Sequence, residues 1–231
     1  TQQARRLRCA ASVTDVVVAI SVAPEDDGLL APIRAAGARV FRGAVHDQAA
    51  RLSGCLDWLG VGDDAVVVRV PGDHPLIDWG YVDAGVRALR TQGAGVLEFL
   101  EDQAEELCGG LSAAFLTAGA ARLIDGVATQ AEHRTDPMLY ALENPAQVRL
   151  ARAALPEAQE DLRGDYRLLL QTAEDLAVHE AIYLRLYDGQ PIPTAQAIAF
   201  LDQDPVVASL NRGVLCRGDA RTSTVAGWRA R

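Results

Sequence analysis

Apolar and polar positions fall into blocks along the chain, and the blocks have two periods. DVVVAIS at 15–21 is short, β-branched and apolar on both faces, the pattern of a strand inside a sheet. APIRAAGARVF at 31–41 combines an Ala-rich helical piece, a stop at Gly37 and a short strand at 38–41. DQAARLSGCLDWLG at 47–60 carries Ala49, Leu52, Leu56 and Leu59 at helical spacing, and Gly60 ends it. AVVVRV at 65–70 is the clearest strand, apolar on both faces except at Arg69. YVDAGVRALRTQG at 81–93 places Val82, Val86 and Leu89 on one helical face, with Gly93 past its end, and AGVLEF at 94–99 returns to strand. The segment 100–160 is less regular, with a helix around 117–124. YRLLLQ at 166–171 reads as a strand. Thr172 and Asp175 then form an N-capping pattern ahead of a helix to residue 187. A last helix, 194–205, ends before Pro205.

Strands separated by helices of this length predict βαβ units: an α/β fold with a mostly parallel sheet and helices on both faces. One domain spanning residues 1–231 is expected. In such sheets ligands bind beyond the carboxyl ends of the strands. The sentence AVVVRVPGDHPLID is therefore of interest, because Asp73 follows Pro71-Gly72 directly after a strand.

Composition narrows the function classes. The net charge of -9 argues against a general nucleic-acid binder, which needs a basic face. No apolar run reaches the roughly 18 residues of a membrane helix, and no leader pattern opens the chain, so a cytoplasmic protein without a membrane partner is expected. Cys9, Cys55, Cys108 and Cys216 are widely spaced, which speaks against a zinc site or a disulfide framework. Walker, GxGxxG, GxSxG and HExxH patterns are absent.

The candidate chemistry is sparse, and each residue has two readings. Asp73 can hold a hard cation such as Mg²⁺ or fix its own turn. His74 beside it can act directly or serve as a hydrogen-bonded structural residue. Arg42 in VFRG can clamp a phosphate or remain a solvated loop charge. His133 and Arg134 in AEHRTDP can contact a substrate or staple a loop. The acidic residues Glu25, Asp26 and Asp27 read as a solvated turn, as does the acidic run at 101–106.

Taken in order, VFRGAVHDQAARL, VVVRVPGDHPLID, AEHRTDPMLYALENP and YRLLLQTAEDLAVHEAIYLRLY resemble the cytidylyltransferases of spore coat polysaccharide biosynthesis. These are relatives of the acylneuraminate and 3-deoxy-manno-octulosonate cytidylyltransferases. TDVVVAISVAPEDD and LDQDPVVASLNRGV extend the resemblance over nearly the whole chain. It implies a Rossmann-like nucleotidyltransferase fold that couples CTP to a sugar, sugar acid or similar small-molecule acceptor. The products are a CMP-linked compound and pyrophosphate, with Mg²⁺ or another divalent cation as cofactor and a homodimer as the assembly. Asp73 matches the family's metal ligand. Arg42, Asp47, Arg51 and Gly72 match its nucleotide side, with Arg42 also in the catalytic set. Ser112, Glu132, His133 and Arg134 fall on its acceptor side, and 100–160 matches the acceptor-binding and dimerisation segment.

Three departures accompany the match. The family opens with a strand and a Gly-rich basic loop, roughly RxxSxRLPGK, which has no match here: Thr1 falls just after it, in the first helix, and the expectation is that this segment is either disordered or trimmed, or lacking in this protein. The family's second metal-binding carboxylate corresponds to Gln171, a poorer Mg²⁺ ligand. Ser112 and Ala114 replace two acidic residues. A catalytically degenerate relative acting as a binding or assembly module is therefore the alternative. A third reading is another nucleotide-dependent transferase on the same fold.

Overall fold

The computed structural model describes residues 2–100 and 107–214, which fall into two compact units interleaved along the sequence. The first unit comprises the described part of Thr1–Val70 with Trp79–Leu100 and Ala113–Leu155; the second comprises Pro71–Asp78 and the described parts of Glu101–Ser112 and Pro156–Arg231. The acidic run at 101–106 lies outside the described residues.

The first unit begins with α1 (Gln2–Leu7), β1 (Val17–Ser21), α2 (Leu30–Ala35), β2 (Arg39–Gly43), α3 (Gln48–Leu59) and β3 (Val66–Arg69). It continues with α4 (Trp79–Gln92), β4 (Val96–Leu100), β5 (Ala114–Thr117), α5 (Ala118–Val127), α6 (Ala131–Thr135), α7 (Pro137–Glu143), α8 (Pro145–Val148) and β6 (Leu150–Ala154). β1 and β2 pair in parallel, as the βαβ reading requires. The other four strands run in the order β3-β5-β4-β6, with β4 and β6 parallel and β5 antiparallel to both of its neighbours. The α/β class and the sheets with parallel strands are as expected; the antiparallel strand falls in the segment whose pattern was least regular.

Two details of the sequence reading are corrected. Residues 65–70 were expected to form a strand enclosed on both faces, but all four residues of β3 are only half-buried. The reason is its position: β3 has one ladder partner, β5, and so is an edge among the described strands. YRLLLQ was expected as a strand and forms none; Arg167 makes an isolated bridge with Gly109. The Leu170 N–H goes instead to the carbonyl of Asp73, 2.9 Å away.

The first unit's core explains why its strands and helices hold. Leu56 of α3, Val96, Leu116, Ile124 and Val148 are buried together with Tyr140. Tyr81, Phe99 and Phe115 form a ring cluster with centroids 5.4–5.7 Å apart. Gly85 of α4 lies against it, where a Cβ would come within 2.2 Å of the Phe115 ring. Asp83, on the same helix, holds the loop after α1 by accepting from the backbone N–H of Ala11 and Ser12. Thr117 ends β5 and caps α5, accepting from Ala120 N at 3.2 Å.

The second unit contains a 3-10 turn at Glu157–Leu162, α9 (Ala173–Leu186), α10 (Thr194–Gln203) and α11 (Pro205–Ser209). The capping box read from Thr172 and Asp175 is present at the start of α9. Leu76, Ile77, Leu111, Leu168 and Ile182 are fully buried. Gly110, at φ +97°, brings residues 109–112 against 168–169, and a Cβ there would stand 2.7 Å from backbone atoms of Leu168 and Leu169. Among the described residues no helix is long and apolar enough to cross a membrane.

Candidate active site

The loop that carries Asp73 is fixed at both ends and in the middle. Pro71 O accepts from His74 N at 3.2 Å, and His74 O from Ile77 N at 3.3 Å, two successive turns. The buried His74 ring bonds through Nδ1 to the carbonyl of Ser112, 2.9 Å away. Because a carbonyl only accepts, Nδ1 carries the proton. Nε2 then lies 3.8 Å from Asp73 Oδ1. Further along, the buried Thr194 hydroxyl donates to Leu76 O at 3.0 Å. His74 thus staples the loop to residue 112, and Ser112 contributes its backbone while its side chain is exposed. A Cβ at Gly72 would meet nothing within 4 Å, so close packing does not explain that glycine.

Asp73 and Gln171 do come together. The amide Nε2 of Gln171 donates to Asp73 Oδ2 at 2.7 Å. Behind Gln171 stands a network that sequence reasoning did not find. Arg167 donates to Asp175 from Nε at 2.7 Å and from Nη2 at 3.0 Å, and Nη2 also reaches Gln171 Oε1 at 3.2 Å. Asp175 is fully buried and accepts in addition from Gln171 N, Thr172 N and Asn211 Nδ2. Burial pushes its carboxyl up, but the Arg167 guanidinium, the Gln171 N–H and Asn211 outweigh that and hold it well below the usual carboxylate range. The available signal was the capping position of Asp175; nothing in the pattern marked Arg167 or Asn211 as its partners.

The residues assigned to the nucleotide and acceptor sides lie in the first unit, apart from Gly72 and Ser112. Arg42 closes the turn after β1: it donates to Ser21 O and Ala23 O and pairs with Asp27 at 2.7 Å. Asp26 accepts from Ser21 N at 3.0 Å, so the acidic triplet is a tied turn as well as a solvated one. Arg51 donates to Ala44 O and Val45 O. Asp47 caps α3, accepting from Ala50 N at 2.9 Å, and pairs with Arg134 at 2.6 Å. Arg134 also pairs with Asp125 of α5 at 2.7 Å and donates to Ala128 O. It therefore ties α3, α5 and α6 together, and Asp47 and Arg134, assigned to opposite ends of a substrate, are direct partners. His133 is buried, bonds Glu143 at 2.7 Å and sits edge-on to Tyr140. Glu132 is exposed. Ala114 is buried as the first residue of β5, opposite Arg69.

Among the described residues no group of three His, Cys, Asp or Glu side chains could hold a metal ion. The chain matches no family model. It is 27% identical over 196 residues to the spore coat polysaccharide biosynthesis protein SpsF of Bacillus subtilis, covering 84% of this chain and 78% of that protein. Among solved structures it is similar to a cytidylyltransferase from Leptospira borgpetersenii, with a TM-score of 0.74 at 20% identity over 94% of this chain and 88% of that one. A second is a CMP:2-keto-3-deoxy-manno-octonic acid synthetase complexed with CTP, with a TM-score of 0.53 at 12% identity over 80% and 86% of the two chains. The similarity to SpsF is in line with the resemblance read from the ordered motifs, and the likeness to the solved structures shows the α/β fold.

Proposed function

We propose that the chain is a cytidylyltransferase. An acceptor hydroxyl, on a sugar, sugar acid or similar small molecule, attacks the α-phosphorus of CTP. The new bond joins acceptor oxygen to phosphorus, the bond to the bridging oxygen breaks, pyrophosphate leaves, and the hydroxyl proton is released to solvent. The observation that supports this best is Asp73: a carboxylate on a stapled turn directly after a strand, in a chain similar to SpsF over 84% of its length. On this reading Arg42, Asp47, Arg51 and Gly72 serve the nucleotide side. Exposed Glu132 and Ser112 are available to the acceptor, while His133 and Arg134 act by holding α6 in place. The protein works as a homodimer in the cytoplasm and uses neither nucleic acid nor membrane.

The proposed cofactor is Mg²⁺, but the donors present do not form a protein-held site for it. One carboxylate, one amide nitrogen and a stapled imidazole replace the oxygen-rich shell that Mg²⁺ requires. Positioning of the acceptor oxygen in line with the leaving pyrophosphate is the catalytic contribution of the chain itself.

The alternative reading, a binding or assembly module, is favoured by the same feature, since Gln171, Ser112 and Ala114 carry no charge. A pyrophosphate-release assay on the intact protein with CTP, Mg²⁺ and a panel of acceptors separates the two. Turnover that Asp73→Asn lowers by about a hundredfold or more supports the transferase. CTP binding without turnover on any acceptor supports the module.

A further inference from the structure

The orientation of the Gln171 amide is dictated by its neighbours. Arg167 has only N–H groups to offer, so the Gln171 atom facing it at 3.2 Å must be the oxygen. The amide nitrogen is then left facing Asp73 Oδ2 at 2.7 Å. Arg167 cannot turn away cheaply, because its side chain is only 12% exposed and its guanidinium is doubly bonded to the fully buried Asp175. Gln171 is also held by its own backbone N–H, which donates to Asp175 at 3.0 Å. An incoming cation at Asp73 Oδ2 would meet an NH₂ group, which has no lone pair to give.

We propose that Gln171 is a built-in lock on Asp73. It fills with a hydrogen-bond donor the place beside the carboxylate that a cation would take, so the free protein has no divalent-cation site at Asp73. Any divalent requirement of the reaction then belongs to the cation–nucleotide complex, whose phosphate oxygens supply the ligands. Only the choice of Asp73 as the site's carboxylate rests on the transferase reading; the lock itself rests on the Arg167–Gln171–Asp73 geometry.

One substitution should open the lock. Gln171→Glu is isosteric and exchanges the amide nitrogen for oxygen, leaving two carboxylates with oxygens about 2.7 Å apart. Like charges that close share a proton or a cation.

The test is Mn²⁺ titration without nucleotide, read from the electron paramagnetic resonance signal of free Mn²⁺. The parent protein and Asp73→Asn should give superimposable curves with no saturable site. Gln171→Glu should gain one site, at least about tenfold tighter than any parent binding, and Gln171→Glu with Asp73→Asn should lose it. A saturable site in the parent that Asp73→Asn removes overturns the proposal. So does a folded Gln171→Glu protein, checked by circular dichroism, that gains no site. Should Gln171→Glu not fold, the comparison of parent with Asp73→Asn still decides. No outcome depends on turnover, so a failed pyrophosphate assay would count against the transferase reading and leave the lock standing.

Discussion

His179 shows how a side chain outside any proposed chemistry still sets the working range of the protein. Its Nε2 faces the carbonyls of Leu168 and Leu169 at 3.2 and 3.3 Å, so the proton sits there. Nδ1 is buried and has no hydrogen-bond partner among the described residues. Burial holds the imidazole's pKa below its ordinary value, because a second proton would place a charge where nothing receives it. The folded state therefore binds fewer protons than the unfolded chain below about pH 6.5, and stability falls as pH drops through that region. The urea midpoint should decrease from pH 7 to pH 5. His179→Gln, which keeps a donor and cannot titrate, should flatten that slope. A slope unchanged by the substitution would assign it to another group. Asp175 adds a separate acid limb: its depressed carboxyl gives stability that is full above about pH 3.8 and lost as pH falls below.

At the scale of single elements, α9 was legible because its start is written locally. Thr172 accepts from Asp175 N at 3.3 Å, and Asp175 returns the bond to Thr172 N at 3.1 Å. Thr172→Ala should cost about 1 kcal/mol in urea unfolding. A cost near zero would mean that the Asp175 side of the box holds the helix start without it. Other elements were not written locally. β5 was missed because its strand is four residues long and runs straight into the Thr117 cap. β6 is LARAA, whose alanines carry little strand preference, and it exists because β4 offers it a parallel edge. YRLLLQ misled in the opposite sense: its apolar pattern reflects burial of Leu168, while its backbone bonds go to Gly109 and Asp73. The site divides in the same way. Asp73 could be found from its strand and turn, whereas Arg134 bridging to Asp47 across 87 positions could not, because no periodicity links α6 to the start of α3.

At the scale of the whole molecule, β3 is an apolar edge among the described strands. β3 is three valines and an arginine, half-buried, with β5 on one side only. β5, by contrast, lies between β3 and β4 and is buried along Ala114, Phe115 and Leu116. An exposed edge of this composition is a place where another strand can add. Amide hydrogen exchange on the intact protein reads the difference directly, since open-edge N–H groups exchange through small local openings and enclosed ones need larger ones. If β3 remains an edge in solution, peptides covering 66–69 should exchange well before those covering 114–117. Equal protection of the two would mean that the β3 edge is covered by a further strand. Repeating the exchange over a range of protein concentrations then separates the two sources of cover. Protection that rises with concentration places a second copy on the edge, and protection independent of concentration places the strand within the same molecule.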